Sequence, residues 1–273
     1  MKRNSVLPRF GLTLGCTLLY LAVIVALPLL AMLLQTASLG WSDFWYIVTS
    51  DRALATFRIT ISAAAVATVF NGLFGLLLAW VLSRYQFPGK RLIDAAVDLP
   101  FALPTAIAGL ALVTLFAPNG WFGRFLEPIG IKVAYAPLGI MIAMFFTSIP
   151  FVIRTVQPVL EDMSADVEEA ARSLGASPWQ VFSHIIWPTI FPAFLAGASL
   201  SFARSLGEFG SIVFISGNLP FETEVTSLLV FIRLDEYDYP AAAALAFMML
   251  LMAFFMLLVT NIIQARRLRY AER

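Results

Sequence analysis

Arg204 and Glu208 sit four residues apart in the run from Ser201 to Gly210 (SFARSLGEFG), which is otherwise uncharged. On a helix that spacing puts both on one face. An unpaired arginine at the centre of a bilayer costs about 2.5–3.5 kcal/mol on insertion scales, and pairing recovers part of it. Two kinds of chemistry suit such a pair. Arg204 could give transient electrostatic help to a dianion, with Glu208 keeping it from becoming a trap. The plainer reading, an ion pair bracing two helices, takes precedence. Other chemistry finds little material. His184 and Cys16 are the chain's one histidine and one cysteine, so no multi-His or thiolate metal site can form. No nucleophile or acid is spaced to work with His184; interfacial hydrogen bonding is its simpler use. No G-x-x-x-x-G-K-[ST] phosphate loop exists, because Gly89-Lys90 has Arg84 where the first glycine is needed. The chain therefore handles no ATP and carries no cofactor of its own.

The elements that must position these residues are membrane spans. Of 273 residues, 60% are hydrophobic and 13% charged, and mean hydropathy is +0.85. Soluble domains run near 45–50% and 25%, so a soluble enzyme and a disordered chain are both excluded. Six runs are apolar enough to cross: Leu12 to Leu34, about Ile59 to Leu82, about Leu99 to Ala117, Ala136 to about Val152, about Pro188 to Ile215, and Ala241 to Ile263. A cleaved signal peptide competes for the first, but its apolar run exceeds the 7–15 residues of a signal core. The expected fold class is all-α, polytopic, with six transmembrane helices.

Charge sets orientation. Of 18 Lys and Arg, twelve fall on one side: Lys2, Arg3, Arg9, Arg84, Lys90, Arg91, Arg154, Arg172, Arg266, Arg267, Arg269 and Arg273. Arg52, Arg58, Arg124, Lys132 and Arg233 fall on the other, and Arg204 lies within a span. That asymmetry puts both termini in the cytoplasm. Trp41, Trp45 and Trp121 would then mark the outer interface, and Trp80, Trp179 and Trp187 the inner one. Pro100 and Pro104 open the third span, where they either kink a helix lining the pathway or occupy its first turn. Gly197, Ser201 and Ser205 form one small-residue stripe and Ala203, Gly207 and Ser211 another, which suggests close helix contacts on two sides. Asn71 in the second span fits a helix–helix hydrogen bond better than a pathway lining.

The longest inner loop, 161–187, reads EDMSADVEEAARSLGASPWQVFSHIIW. Asp166 can cap a helix over Val167 to Leu174, with Glu169 at its third position. Gly175 stands where a left-handed residue is expected. Ser177, Pro178 and Gln180 then start a second helix as N-cap, N1 and N3, with Pro188 leading into the membrane. Five acids, Glu161, Asp162, Asp166, Glu168 and Glu169, argue against a helix pair lying on an anionic leaflet. A hairpin with no core of its own needs something to dock on.

Glu169-Ala170-Ala171, Gly175, Ile185 and Trp187-Pro188 resemble the EAA motif of bacterial ABC importer permeases, E-A-A-x3-G-x9-I-x-L-P, with Trp187 where leucine is usual. The stretches around Ser83 to Gly89, Asp98 to Ala106, Thr147 to Leu160, Ser205 to Gly210 and Glu224 to Leu228 are similar to the sulfate/thiosulfate importer permeases, closest to the T-type of their two permease subunits. The resemblance covers nearly the whole chain. It implies the type I importer (MetI-like) permease fold, one permease domain over 1–273, and a coupling loop at 161–187 that enters a cleft of an ATPase subunit. Glu169 would make polar contacts there, Ala170 and Ala171 would keep the face small, and Gly175 would make the corner. The implied partners are a second homologous permease subunit, two ATP-binding subunits carrying ATP and Mg²⁺, and an external sulfate/thiosulfate-binding protein. The location would be the bacterial inner membrane. The rivals are a stand-alone secondary transporter or channel, which should show internal repeats; a membrane-embedded enzyme, which lacks ligand clusters; and a same-fold permease for molybdate, polyamine or ferric ion.

Overall fold

The computed structural model describes residues 10–271, and the side chains of Phe10 and of 265–271 fall outside that description. Lys2, Arg3, Arg9 and Arg273 lie outside the described residues, as do the side chains of Arg266, Arg267 and Arg269. Among the described residues every regular element is helical. We label the principal helices α1 (Gly11–Ala37), α2 (Trp41–Val48), α3 (Asp51–Arg84), α4 (Lys90–Val97), α5 (Thr105–Phe116), α6 (Pro137–Asp162), α7 (Ala165–Ser173), α8 (Pro178–Leu206), α9 (Thr226–Asp235) and α10 (Tyr239–Ala271).

Five of these, α1, α3, α6, α8 and α10, are long and apolar enough to cross a membrane. The sixth apolar run is interrupted. One turn, Leu99–Ala102, carries Pro100 near its start, and Leu103 and Pro104 are extended with ψ of 133° and 129°. Pro100 thus occupies a first turn, while Pro104 stands at a break in the helix. The α5 that follows has 12 residues, about 18 Å of helix against the roughly 30 Å of a hydrocarbon core. The third apolar run is thus a broken helix, and neither of its pieces is long enough to cross by itself.

The centre is a three-helix packing of α3, α6 and α8. Lipid supplies no hydrophobic drive between helices, so association rests on close approach of small residues and on interhelical hydrogen bonds. The sequence of α3 is built for this: Ala53, Ala63, Ala64, Ala67, Gly72, Gly75 and Ala79 are all buried. A Cβ placed on Gly75 would come within 2.9 Å of Val152 Cβ, and one on Gly197 within 2.8 Å of Val152 Cα. The Gly197–Ser201–Ser205 stripe therefore serves contacts within the subunit. Its companion is not a helical stripe at all, because α8 ends at Leu206 and Gly207 and Ser211 lie beyond it.

Asn71 knots the three helices together. Its Nδ2 donates to Ser148 Oγ on α6 at 2.7 Å and to Ser201 Oγ on α8 at 2.9 Å. Asn71→Ala should destabilise the bundle by about 1–2 kcal/mol. A lowered unfolding midpoint in detergent is the expected reading, with exposed Thr114→Ala as control. An unchanged midpoint would refute it.

In contrast, α1 has none of its apolar window buried within the chain. It touches the bundle mainly along α10.

Candidate functional site

The loop 161–187 folds largely as its local code dictates, with one correction. The N-cap of α7 is Ser164, whose Oγ accepts from the Asp166 amide at 3.2 Å. Asp166 is already in the first turn, so the expected Asp166 cap and its Val167 start are displaced by two residues. Serine wins because its short hydroxyl reaches the free first-turn amides. Gly175 adopts φ +88°, and its amide donates to Arg172 O while that of Ala176 donates to Ala171 O. Ser177, Pro178 and Gln180 form a complete capping box: Ser177 N donates to Gln180 Oε1 at 2.8 Å and Gln180 N to Ser177 Oγ at 3.3 Å. The second helix is the start of α8, which runs on through a π turn, Phe182–Ile186, without a break. Such turns absorb an extra residue in an otherwise regular helix; here Pro188 sits just past it. Residues 178–206 thus form one continuous helix, with the loop's capping box at its start.

Glu169, Ala170, Gly175 and Pro188 are exposed, and Ala171 and Ile185 half-buried. The exposed apolar residues Val167, Leu174 and Trp179 lie on the same loop. His184 is exposed, its Nδ1 at 2.9 Å from Ser183 Oγ and 3.1 Å from Gln180 O, a local role.

Glu168, the neighbour of Glu169, points the other way. It is buried and pairs with Arg84 Nη2 at the end of α3, while Arg172 Nη2 lies 3.6 Å from its second oxygen. A second cluster lies on the C-terminal half of α6. Arg154 donates to Asp98 through Nε at 2.8 Å and Nη2 at 2.7 Å, to Asp94 Oδ1 at 2.6 Å and to Asp94 O at 2.8 Å. It thereby holds the end of α4, one turn before the Leu103–Pro104 break. Sequence reasoning missed both clusters, having counted Arg84 and Arg154 only as loop charge. Their partners are 84 and 56 residues away, beyond any local spacing rule.

The intramembrane pair forms, but not as two residues on one helical face. Arg204 Nη1 lies 2.7 Å from Glu208 Oε2. Glu208 is past the end of α8, in the corner opened by Gly207. Its other oxygen accepts from Ser211 N at 3.1 Å and Ser211 Oγ at 2.8 Å, and its carbonyl accepts from Ser227 Oγ on α9 at 2.7 Å. The fully buried carboxylate thus pins the corner through one oxygen and meets Arg204 with the other. Arg204 keeps about a third of its side chain accessible. At the opposite end of α3, Arg52 grips buried Glu224 through Nε at 2.8 Å and Nη2 at 2.6 Å, which the sequence also did not announce. Among the described residues no group of three His, Cys, Asp or Glu side chains is placed to hold a metal.

Residues 71–269 match the family described as "Binding-protein-dependent transport system inner membrane component". The "Sulfate transport system permease protein CysT" of Escherichia coli K12 is 52% identical over 263 residues, covering 96% of this chain and 95% of that protein. A "Probable sulfate transport system permease protein cysT" of Marchantia polymorpha is 46% identical, covering 94% and 90%. In three dimensions the chain resembles a bacterial ABC transporter that imports the acidic polysaccharide alginate, at TM-score 0.77 and 18% identity over 94% of both chains. It also resembles the inward-facing MetNI methionine ABC transporter, at TM-score 0.59 and 16% identity over 84% of this chain and 99% of that one. These last two speak to the fold alone. With the match running from Asn71 through the loop 161–187 into α10, the chain belongs to the family of binding-protein-dependent transport system inner-membrane components.

Proposed function

We propose that this chain is a permease subunit of an ABC importer that moves sulfate, and with it thiosulfate, into the cytoplasm. The observation that carries the anion is 52% identity, over nearly the full length, to a permease described as part of a sulfate transport system. In this reading the protein sits in a bacterial inner membrane with both termini inside, on the strength of the Lys and Arg asymmetry. It pairs with a homologous permease, takes its energy from two ATP-binding subunits, and receives the anion from an external binding protein. The loop 161–187 is the coupling element: Glu169, Ala170, Ala171 and Gly175 meet the ATPase cleft, and Ile185 and Pro188 lead the continuous helix into the span. ATP-driven closure draws two such loops together, and the spans rock between inward- and outward-facing states. The two states must lie within a few kcal/mol for the loaded binding protein to shift their balance. Arg204 adds a fleeting attraction for a dianion, its charge moderated by Glu208, and a permease that releases its cargo needs no tighter site.

The test is reconstitution with the ATPase subunits and candidate binding proteins. Hydrolysis should rise about tenfold with a sulfate-loaded binding protein, a coupling within the usual allosteric range. Stimulation by a molybdate-loaded one instead would overturn the assignment.

A further inference from the structure

We propose that Arg84 and Glu168 form a latch through which movement of the docking helix is passed to the second span. The inference rests on the docking role of residues 161–187 and adds the route by which force leaves that loop sideways. The loop already has one continuous path, along α8 and its π turn. The ion pair supplies another, into α3.

Its position is what singles it out. Most of α7 is exposed, yet Glu168 is buried on its inner face. Arg84 is the last residue of α3, with its guanidinium 5.5 Å above the Trp80 ring. Among the described residues this is the one ion pair joining α7 to a span. Beside it, Ser83 Oγ donates to Gln157 O on α6 at 3.4 Å as well as to Ala79 O at 2.7 Å. Gln157 in turn accepts from Arg154 Nη1 at 2.9 Å and donates to Glu161 at 3.0 Å. The latch thus adjoins the Arg154–Asp98 clasp that holds the broken third span. Shifting α7 without α3 would strand the half-buried Arg84 guanidinium and leave the buried Glu168 carboxylate only the longer 3.6 Å contact with Arg172 on its own helix, whereas shifting both keeps the pair intact. A well-packed apolar pair would hold the fold as well as a buried ion pair does. What the charges add is a fixed register between loop and span.

The experiment uses the assembled importer in lipid nanodiscs with its ATPases and binding protein, reading sulfate transported per ATP hydrolysed. Arg84→Glu should retain the ATPase subunits and basal hydrolysis but lower transport per ATP about tenfold. Glu168→Arg should lower it similarly, and the double exchange Arg84→Glu with Glu168→Arg should recover most of it. Glu168→Gln keeps the shape and should still lose coupling, which separates lost charge from lost folding. An unchanged ratio in Arg84→Glu or Glu168→Gln, no recovery in the double exchange, or release of the ATPases by Arg84→Glu would each overturn the latch. Docking itself is tested apart, on the exposed side of α7. Glu169→Arg should release the ATPases, and its failure to do so would count against the docking role whatever the latch variants do.

Discussion

Gly175→Val should cut sulfate uptake at least tenfold in cells that express the protein normally. The corner between α7 and α8 needs φ +88°, a region where an L side chain costs roughly 1–2 kcal/mol and a β-branched one is a clear outlier. Nothing lies within 4 Å of a Cβ built on Gly175, so the cost is conformational and not steric. That permits a graded series. Gly175→Asn should retain most uptake because asparagine tolerates the left-handed region, Gly175→Ala should fall between, and Gly175→Val should be worst. The check is labelled sulfate uptake alongside the amount of ATPase held at the membrane. Normal uptake by a well-expressed Val variant would refute the corner's role.

The second large effect concerns Arg204. Removing it leaves the Glu208 carboxylate fully buried with only Ser211 for company. Breaking one side of a buried pair costs about 3–5 kcal/mol. Exposed Arg124 lies 4.6 Å over the Phe125 ring, and its loss should cost within about 0.5 kcal/mol. Arg204→Ala should therefore lower the yield and unfolding midpoint of detergent-purified protein far more than Arg124→Ala. Equal effects would mean that Arg204 occupies no special environment. Adding Glu208→Ala to Arg204→Ala should restore part of the midpoint, because the stranded charge is gone.

Much of this molecule was legible because its signals are local. A bilayer span is a property of about 20 consecutive residues, so five of the six apolar runs became long helices. The helices do not end where the apolar runs do. The second begins at Asp51, ahead of the run near Ile59, the fourth continues to Asp162, past the run's end near Val152, and the fifth stops at Leu206 although its run continues to Ile215. Apolarity reports what faces lipid, whereas backbone hydrogen bonding carries a helix on past the hydrocarbon. The Ser177–Gln180 box and the Gly175 corner were equally legible, since caps act within three or four residues. The Ser164 cap was missed because Asp166 offers a competing carboxylate two positions on.

What the sequence alone determined is thus the set of membrane segments, the punctuated loop at 161–187, and the charged exceptions at Arg204 and Glu208. Tertiary structure decided the partners. Asn71 finds Ser148 and Ser201, Arg52 finds Glu224, Arg154 finds Asp94 and Asp98, and Arg84 finds Glu168. It also decided that Glu208 closes a corner instead of riding on a helix, because Gly207 ends α8 one residue earlier. The physical reason is common to all of these. A charge in an apolar setting must be paired, which composition makes plain, but which charge pairs with which is set by how α3, α6 and α8 pack, and that depends on contacts far apart along the chain.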